Sequence, residues 1–361
     1  MRAGSSRRRA DDVDLLAARL KSQLIGGPPA RSVEGVVNRL LAVQAQDARG
    51  ARLAVRSRSS GLWATDIDRS LSVTRSLVVT WLNRGTLHLV AGKDYWWLHP
   101  LTTPQLAAGN ERRLRQEGVS PVQAEQGVTV ITDAVTSDGP QTRAQLRARL
   151  EEAGVPTAGQ ALVHLLVAAS VRGPLVRGPQ VGRDHAYVSA PTWLGAQPAP
   201  LDRDEALATL ARRYLAGHGP AGPLDLAKWA GITVGAARSA FGAIAEQLVP
   251  MGDGVKLIDG PREQPSLPPP RLLGAFDPLL HGWVSRDLVT GAHREVVTTN
   301  GIFRPVVLVD GRVVATWTLA RGTVRINSLE PIPTNALDAL VTDAADVLRF
   351  LSLPPTPVVI R

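Results

Sequence analysis

A repeated order of helical and β-patterned stretches constrains the fold of this chain more than any other feature. Twice, 80 residues apart, a Gly-Pro pair (Gly139-Pro140 and Gly219-Pro220) precedes a helical pattern, a turn, a second helix and a glycine-punctuated hairpin. Thr157 and Thr233 stand where each second helix is expected to begin, and threonine is a good cap there. This order is typical of winged helix-turn-helix domains, so the sequence predicts tandem copies of that unit rather than a solenoid.

Residues 1–100 carry a third copy of this pattern, with apolar residues at helical spacing. Ser32 is positioned to cap a helix whose buried stripe leads into Gln44. A helix over 74–83 followed by a strand over 86–90 supplies the helix-then-wing order of the unit. The other helices predicted in this copy cover 11–23, 49–58 and 66–71.

The C-terminal third is rich in β-branched residues. Pro261–Pro270 contains five prolines and is predicted to be a linker. Two β-branched runs then flank Asp310-Gly311, a strong hairpin signal, and a helix over 334–350 closes the chain. We therefore predict an α+β fold in which about three tandem winged helix-turn-helix units precede a β-rich, barrel-like domain. The predicted winged-helix units cover 1–100, 101–195 and 196–260, and the β-rich domain covers 261–361.

The charge balance favours a nucleic-acid partner. The chain has 41 Lys+Arg against 32 Asp+Glu, a formal net charge of +9, and all but four of the basic residues are arginines. The planar guanidinium suits phosphates and base edges, and ordinary solvated surface charge is the alternative. A two-stranded wing can contact both DNA backbone and groove. The DNA-binding candidates are Arg172, Arg177, Arg183 and His185 in the second wing, with Arg304 and Arg312 in the C-terminal hairpin.

Several chemistries are excluded by what the sequence lacks. Without cysteine there is no disulfide, thiolate nucleophile or cysteine-based zinc site. The sequence has no phosphate-binding loop, His-Glu-x-x-His helix or Gly-x-Ser-x-Gly elbow, so we expect neither a metal nor a cofactor. His281, in a polar segment between predicted strands, is the most interesting histidine, and a structural loop histidine is its alternative interpretation.

The sequence also predicts where the protein works. No apolar run approaches the roughly 20 residues that span a membrane. The basic opening Met1–Arg9 has no apolar core behind it, so we expect a frayed tail rather than a secretory signal. We expect a cytoplasmic, nucleoid-associated monomer.

The stretch Arg39-Leu-Leu-Ala-Val-Gln44-Ala-Gln46-Asp47 is the best candidate for chemistry. Consecutive helical residues are about 100° apart, so side chains at i and i+2 face different directions. Both amides reach one point only if the helix ends or bends there, or if the target lies in a cleft around the helix end. A glutamine amide is a poor base, but it can hold and orient a water molecule. Two solvated glutamines at a helix end are the alternative.

Two blocks of sequence resemble the bacterial winged-helix DNA glycosylases of the AlkZ/YcaQ type. The first is Leu40-Leu-Ala-Val-Gln44-Ala-Gln46-Asp47, and the second joins Arg271-Leu-Leu-Gly-Ala-Phe276-Asp277-Pro to the hairpin that starts at Asn300-Gly-Ile-Phe303-Arg304. The predicted order of elements resembles the family over nearly the whole chain. The catalytic motif of the AlkZ branch is two glutamines around an apolar residue, whereas the YcaQ branch has aspartate second. The resemblance therefore implies that Gln44 and Gln46 are catalytic and that the chain belongs with the AlkZ branch.

The resemblance implies a monofunctional DNA glycosylase that acts on double-stranded DNA containing alkylated guanine. N7-alkylguanine is cationic and already a good leaving group, so the enzyme need only hold a water beneath the anomeric carbon and favour the oxocarbenium-like state. Two glutamines can do this without a strong base. The AlkZ branch also implies activity on bulky adducts or interstrand crosslinks made by a genotoxic natural product, as self-resistance or repair.

Two other classes of protein share part of this pattern. A winged-helix transcriptional regulator would use the same basic face without any chemistry. A scaffold that binds protein through its wings would show no salt-dependent affinity for DNA. The glutamine pair and the long β-rich end favour the glycosylase, because a simple repressor needs neither.

Overall fold

The computed structural model describes residues 3–182, 184–251, 256–257 and 267–361. Helices dominate the first two thirds of this part of the chain, and longer strands dominate the last. The helices are α1 (Ala3–Ser22), α2 (Val33–Leu40), α3 (Ala48–Arg56), α4 (Ala64–Ser72), α5 (Gly92–Thr102), α6 (Pro104–Gln116), α7 (Pro121–Ser137), α8 (Arg143–Glu152), α9 (Ala161–Arg172), α10 (Ala190–Leu194), α11 (Arg203–His218), α12 (Pro223–Ala230), α13 (Val234–Gly242), α14 (Asp287–Thr290) and α15 (Leu337–Phe350). The strands are β1 (Ala42–Gln44), β2 (Leu77–Leu82), β3 (Thr86–Ala91), β4 (Leu175–Val181), β5 (Asp184–Ser189), β6 (Val249–Pro250), β7 (Lys256–Leu257), β8 (Arg271–Leu273), β9 (Val306–Val309), β10 (Arg312–Ala320), β11 (Thr323–Ser328) and β12 (Val359–Ile360).

Side-chain caps set where several helices begin. The Ser32 hydroxyl accepts from the Gly35 amide at 3.0 Å, and the Thr233 hydroxyl accepts from the Ala236 amide at 3.1 Å. Both predicted caps are confirmed, because each hydroxyl satisfies an amide that has no partner within the helix. The cap predicted at Thr157 is wrong. Helix α9 begins at Ala161, and the Thr157 hydroxyl donates to the Glu151 carboxylate instead, at 2.5 Å.

The chain divides into two compact units. Unit 1 comprises Met1–Ile67, Leu207–Trp229 and Thr233–Arg361, so it is assembled from stretches far apart in sequence. Unit 2 comprises Asp68–Ala206 with Ala230–Ile232 and is nearly continuous. Each unit is described below by itself.

The C-terminal part of unit 1 is a five-stranded sheet with the order β12-β11-β10-β9-β8. Strands β9 and β10 form the predicted hairpin, with Val309 opposite Arg312. Asp310 and Gly311 between them have φ of 49° and 74°, as a two-residue turn of this type requires. Strand β12 runs parallel to β11, and the other neighbours are antiparallel. Because β8 and β12 are edges, the described strands form an open sheet and do not close into the barrel-like shape we expected.

Unit 2 contains two hairpins joined in one sheet, in the order β3-β2-β4-β5. The join is between β2 and β4, where Val79 lies opposite Arg177. The helix predicted over 74–83 is therefore wrong, because Leu77–Leu82 is strand β2 and pairs antiparallel with β3. All six residues of β2 are buried. A strand covered on both faces has no alternating pattern, and periodicity cannot distinguish it from a buried helix.

Three further predictions concern the chain ends and the third wing. Helix α1 begins at Ala3, so the frayed tail expected up to Arg9 is wrong from Ala3 onward. The third hairpin is present as β6 paired with β7. The residues between these two strands lie outside the described residues, as does the part of the predicted proline-rich linker before Leu267. In the described part of the chain, no helix has the length and apolar character required to cross a membrane.

Candidate active site

The glutamine connector, which we define as residues Leu41–Asp47, links α2 to α3 in unit 1. Helix α2 ends because Leu41 has φ 65°, a conformation that a branched side chain rarely adopts. The chain then becomes extended as β1. Because Gln44 ends β1 and Gln46 lies at the bend after it, neither residue is helical, and the helical objection to a joint role for the two no longer applies. Gln44 is 5% exposed, whereas Gln46 is exposed.

The connector ends where Asp47 caps α3. One Asp47 carboxylate oxygen accepts from the Gly50 amide at 2.5 Å. The Asp47 carboxylate therefore caps the first turn of α3. In the described part of the chain, no hydrogen bond joins the Gln44 side chain to another residue. Its amide donor and acceptor are therefore available to a ligand.

Glycines bring the two sequence blocks of the predicted motif into contact. A Cβ on Gly50 would overlap the carbonyl oxygen of Ala275, and a Cβ on Gly274 would lie 2.8 Å from the Leu53 Cβ. Only glycine permits this approach between the first turn of α3 and the segment that follows β8. The segment Gly274–Asp277 therefore lies directly behind the helix that begins after Gln46.

The other side of the connector is held by α11. A Cβ on Gly217 would overlap the carbonyl of Arg39 and approach the Cα of Leu40 to 3.1 Å, so α11 meets the end of α2 backbone to backbone. Arg213 donates to the Asn38 carbonyl at 2.9 Å, and Gln23 donates to the Gly217 carbonyl at 3.0 Å. The end of α2 is thus fixed before the connector begins.

A buried ion pair lies between α3 and the second block. Arg58 donates to both carboxylate oxygens of Asp277, at 2.7 and 2.9 Å, and both side chains are 0% exposed. Arg58 also donates to the Gln23 amide oxygen at 2.8 Å. A buried charge is costly unless it is paired and hydrogen-bonded, and the bidentate geometry meets that condition. Sequence reasoning missed this pair, because its partners are 219 residues apart.

A second buried arginine fixes the C-terminal end of α3. Arg56 donates to the Asp343 carboxylate at 2.9 Å, to Asp346 at 3.2 Å and to the Leu272 carbonyl at 2.8 Å. These bonds join α3 to α15 and β8. Arg271 donates to the Ser57 carbonyl at the same end. Helix α3 is therefore held in place along its length. The connector is held in place with it, because it leads directly into this helix.

Two histidines lie near this framework, and neither has the properties of a general acid or base. His218 is stacked on Tyr214, with ring centroids 4.9 Å apart, and burial lowers the pKa of His218 to about 3. Its ring is therefore neutral at physiological pH. His281 is 9% exposed, and its Nε2 donates to the Phe276 carbonyl at 2.8 Å. This bond supports the interpretation of His281 as a structural loop histidine.

The predicted DNA-binding residues of unit 2 are largely engaged within the protein. Arg172 pairs with Glu125 at 2.6 Å. Arg177 is half-buried, with its guanidinium 5.2 Å from the Trp81 ring and 5.3 Å from the Tyr187 ring. The exposure expected for Arg177 is therefore wrong. His185 lies in β5 and is partly exposed, and Arg183 lies outside the described residues.

The two predicted DNA-binding residues of unit 1 are both on the surface. Arg304 follows Phe303 at the start of the C-terminal hairpin, and Arg312 opens β10; both are exposed. Among the described residues, no group of three or more acidic or histidine side chains is arranged to hold a metal ion.

The fold and the site together define a class of protein. The structure superimposes on that of the Streptomyces sahachiroi DNA glycosylase AlkZ with a TM-score of 0.79 and 25% sequence identity, over 97% of this chain and 99% of that one. The class is thus a DNA glycosylase of mixed α/β fold. Residues 37–350 match the family described as DNA glycosylase AlkZ-like, and the chain belongs to that family.

A curated relative gives the same result. The interstrand DNA cross-link repair glycosylase of Streptomyces sahachiroi is 29% identical over 377 residues, covering 95% of this chain and 97% of the relative. The resemblance inferred from the two sequence blocks is confirmed.

Proposed function

We propose that this glycosylase hydrolyses the N-glycosidic bond of cationic N7-alkylguanine in duplex DNA, and that its substrates include interstrand crosslinks. The observation that carries the proposal is the glutamine connector, where Gln44 ends β1 and Gln46 lies at the bend that leads into α3. The name of the curated relative supports the crosslink substrate. We further propose that the protein protects its host from a genotoxic natural product.

The proposed chemistry needs no strong base. The positive charge on N7-alkylguanine weakens the glycosidic bond, so the base leaves as the sugar acquires oxocarbenium character. The Gln44 amide oxygen accepts a hydrogen bond from the attacking water, and Gln46 orients the same water from the exposed side. The water adds to the anomeric carbon as the neutral base leaves, and its surplus proton is released to solvent. Such preorganised hydrogen bonds act most strongly on charge that develops in the transition state. Hydrolysis leaves an abasic site without breaking the strand.

The exposure of Gln46 supports a bulky substrate. A flipped base normally enters a tight pocket, and a crosslink cannot do so while it is attached to the opposite strand. Gln46 is exposed at the start of α3, so a lesion can approach it from solvent. An exposed second glutamine is therefore consistent with unhooking one arm of a crosslink in place.

The DNA-binding parts of the proposal rest on charge and fold class. We propose that three winged-helix units and the β-rich domain hold the duplex through phosphate contacts, with Arg183, His185, Arg304 and Arg312 among them. Arg172 and Arg177 are weaker candidates because each already has a partner within the protein. We also propose that the protein acts as a monomer associated with the nucleoid.

The first experiment asks whether the protein releases a modified base. Duplex DNA with one N7-methylguanine is incubated with excess enzyme, and abasic sites are detected by strand cleavage in alkali. Gln44→Ala and Gln46→Ala should each slow base release by about 10²–10³, the cost of one positioned hydrogen bond in a transition state. Gln197→Ala, at an exposed glutamine of unit 2, is the matched control and should react at the wild-type rate.

The double variant tests whether both amides act on one water. Its loss should be smaller than the product of the single losses, because groups that act as a unit are not additive. Duplex affinity should stay within about twofold in all variants, since neither side chain is charged. A wild-type protein that binds duplex but releases no base, crosslinked or not, would leave the transcriptional regulator as the better interpretation.

A further inference from the structure

Phe276 has a backbone conformation that its side chain disfavours. Its φ is 55°, in the left-handed region that bulky aromatic residues rarely occupy. The main chain of Phe276 is held by two hydrogen bonds, from its amide to the Phe303 carbonyl at 3.3 Å and from the His281 side chain, through Nε2, to its carbonyl at 2.8 Å. Despite this cost the Phe276 ring is only half-buried. Local strain without burial points to a function for the ring.

The ring belongs to a cluster that we call the aromatic platform, formed by Phe276, His281, Arg286 and Phe303. Phe303 is its centre, with ring centroids 5.8 Å from Phe276 and 5.0 Å from His281. The Arg286 guanidinium lies 5.0 Å from the Phe303 centroid. Phe303 is therefore enclosed by its neighbours, and Phe276 lies at the edge of the cluster.

Basic residues adjoin the platform. Arg286 also lines an open pocket of about 440 Å³ with Arg294, His293 and Asp287. In the part of the chain that the structure describes, neither arginine has a carboxylate within 4 Å, whereas His293 lies near Glu295 and Glu330. Asp287 is the exposed acidic residue of this pocket. Aromatic rings next to arginines that form no ion pair are typical of surfaces that bind unpaired or distorted nucleic acid.

The platform is tied to the glutamine connector through Gly50. The carbonyl of Ala275, the residue before Phe276, occupies the space that a Gly50 side chain would need. Gly50 lies in the first turn of α3, four residues after Gln46. The platform and the connector therefore belong to one packed framework of unit 1.

We propose that Phe276 is a substrate-contacting residue that stacks on a nucleobase of the DNA bound at the glutamine connector, while Arg286 and Arg294 contact the adjacent phosphates. This inference rests on the proposed function, which supplies duplex DNA as the ligand. It adds that Phe276 holds one base of that DNA in place. Stacking suits this task because every base has a π face, so one ring can serve lesions of different shape.

The test is Phe276→Asn. Asparagine tolerates the left-handed conformation, so this change removes the ring without adding strain. Affinity for a duplex containing N7-methylguanine should fall about 5- to 150-fold, the range for losing one base stack. Phe276→Tyr should stay within about twofold. The surface control is Val122→Asn in unit 2, where Val122 is 77% exposed.

The readouts separate stacking from folding and from chemistry. A 2-aminopurine beside the lesion should be quenched by the wild type and by Phe276→Tyr, and not by Phe276→Asn. Thermal unfolding checks the fold, and Phe276→Leu replaces Phe276→Asn if the latter is unfolded. The inference is overturned if a folded variant without the ring, Phe276→Asn or Phe276→Leu, binds the duplex and quenches 2-aminopurine as the wild type does. Base release by the wild type is scored separately, so failure of the proposed chemistry is distinguishable from failure of the stacking contact.

Discussion

The glutamine connector and the β4–β5 hairpin were both expected to contact DNA. The two regions differ in what their arginines do. In the connector the functional side chains are uncharged, and the arginines behind them, Arg56 and Arg58, are buried in ion pairs. In the hairpin region the arginines were themselves the candidates, yet Arg172 and Arg177 contact a carboxylate and two aromatic rings of the protein.

The net charge of a sequence therefore does not measure the charge available on the surface of the folded protein. The chain carries +9. Arg58 nevertheless contributes nothing to the surface, because its side chain is 0% exposed and Asp277 neutralises it. An arginine meets DNA only where burial and partners leave it free to do so, and those two properties depend on the fold.

The largest expected effect comes from breaking the ion pair behind the connector. Asp277→Ala leaves the Arg58 charge buried and unpaired, which should lower the free energy of unfolding by about 3–5 kcal/mol. Urea denaturation measures this loss. The double variant Arg58→Met with Asp277→Leu should be more stable than Asp277→Ala, because a buried pair can be replaced by apolar groups. A loss below about 1 kcal/mol in Asp277→Ala would contradict the role we assign to the pair.

The next prediction concerns the pH dependence of stability, to which one buried histidine in each unit contributes. Burial lowers the pKa of His218 in unit 1 to about 3 and of His99 in unit 2 to about 4, from an ordinary 6.5. Below pH 6.5 the unfolded chain binds protons that the folded chain does not. Stability is therefore complete above pH 6.5 and falls as the pH is lowered toward 4 and 3.

Each histidine should contribute a slope of up to about 1.4 kcal/mol per pH unit within that range. Unfolding by urea at a series of pH values measures the slope. His218→Phe and His99→Phe should each flatten it, even if they also change stability at neutral pH. An unchanged slope in both variants would mean that other groups dominate acid unfolding.

Arg177 distinguishes a structural role from a DNA contact. If the guanidinium mainly packs against Trp81 and Tyr187, Arg177→Met should lower stability by about 0.5–2 kcal/mol and leave duplex affinity within about twofold. Thermal unfolding and a binding titration on the same preparation measure both quantities. Weaker binding on every DNA sequence, with unchanged stability, would instead restore the wing contact predicted from sequence.

The smallest stability effects are expected at the surface arginines. Arg172→Ala breaks a largely exposed ion pair and should cost less than about 1 kcal/mol. Arg304→Ala and Arg312→Ala should leave stability unchanged and each reduce the slope of log affinity against log salt by about 1, if each releases one counterion. Salt titrations of the three variants rank them. If only Arg172→Ala reduced the slope of log affinity against log salt, the DNA contact would lie near Arg172 and not at the C-terminal sheet.

Local signals predicted the local structure well. Asp310-Gly311 specified a hairpin because both residues must have positive φ, and Ser32 and Thr233 specified helix starts because their hydroxyls satisfy free amides. Strand β2 was missed for a physical reason, since Leu77–Leu82 is buried on both faces and carries no period. Nothing in the residues around Leu77 records that helices α5 and α9 pack against this strand.

The site was predictable in part. The spacing of Gln44 and Gln46 identified the connector, and the puzzle of their helical geometry was resolved by Leu41, whose positive φ ends the helix early. The supporting residues were not predictable, because Arg58 and Asp277 are distant in sequence and each is ordinary in its own neighbourhood. Long-range pairing of this kind is a property of the fold rather than of any short pattern.

The discontinuity of unit 1 has a consequence for how the enzyme is made. Arg58 leaves the ribosome 219 residues before Asp277 does, a delay of about 10–45 s at ordinary translation rates. Unit 2 is almost continuous and can fold during that interval, whereas the framework behind the glutamine connector must wait for the C-terminal sheet. The glutamine connector therefore gains its supporting framework last. A chain released early by a stalled ribosome lacks that framework, so the cell is spared a half-made enzyme that attacks its own DNA.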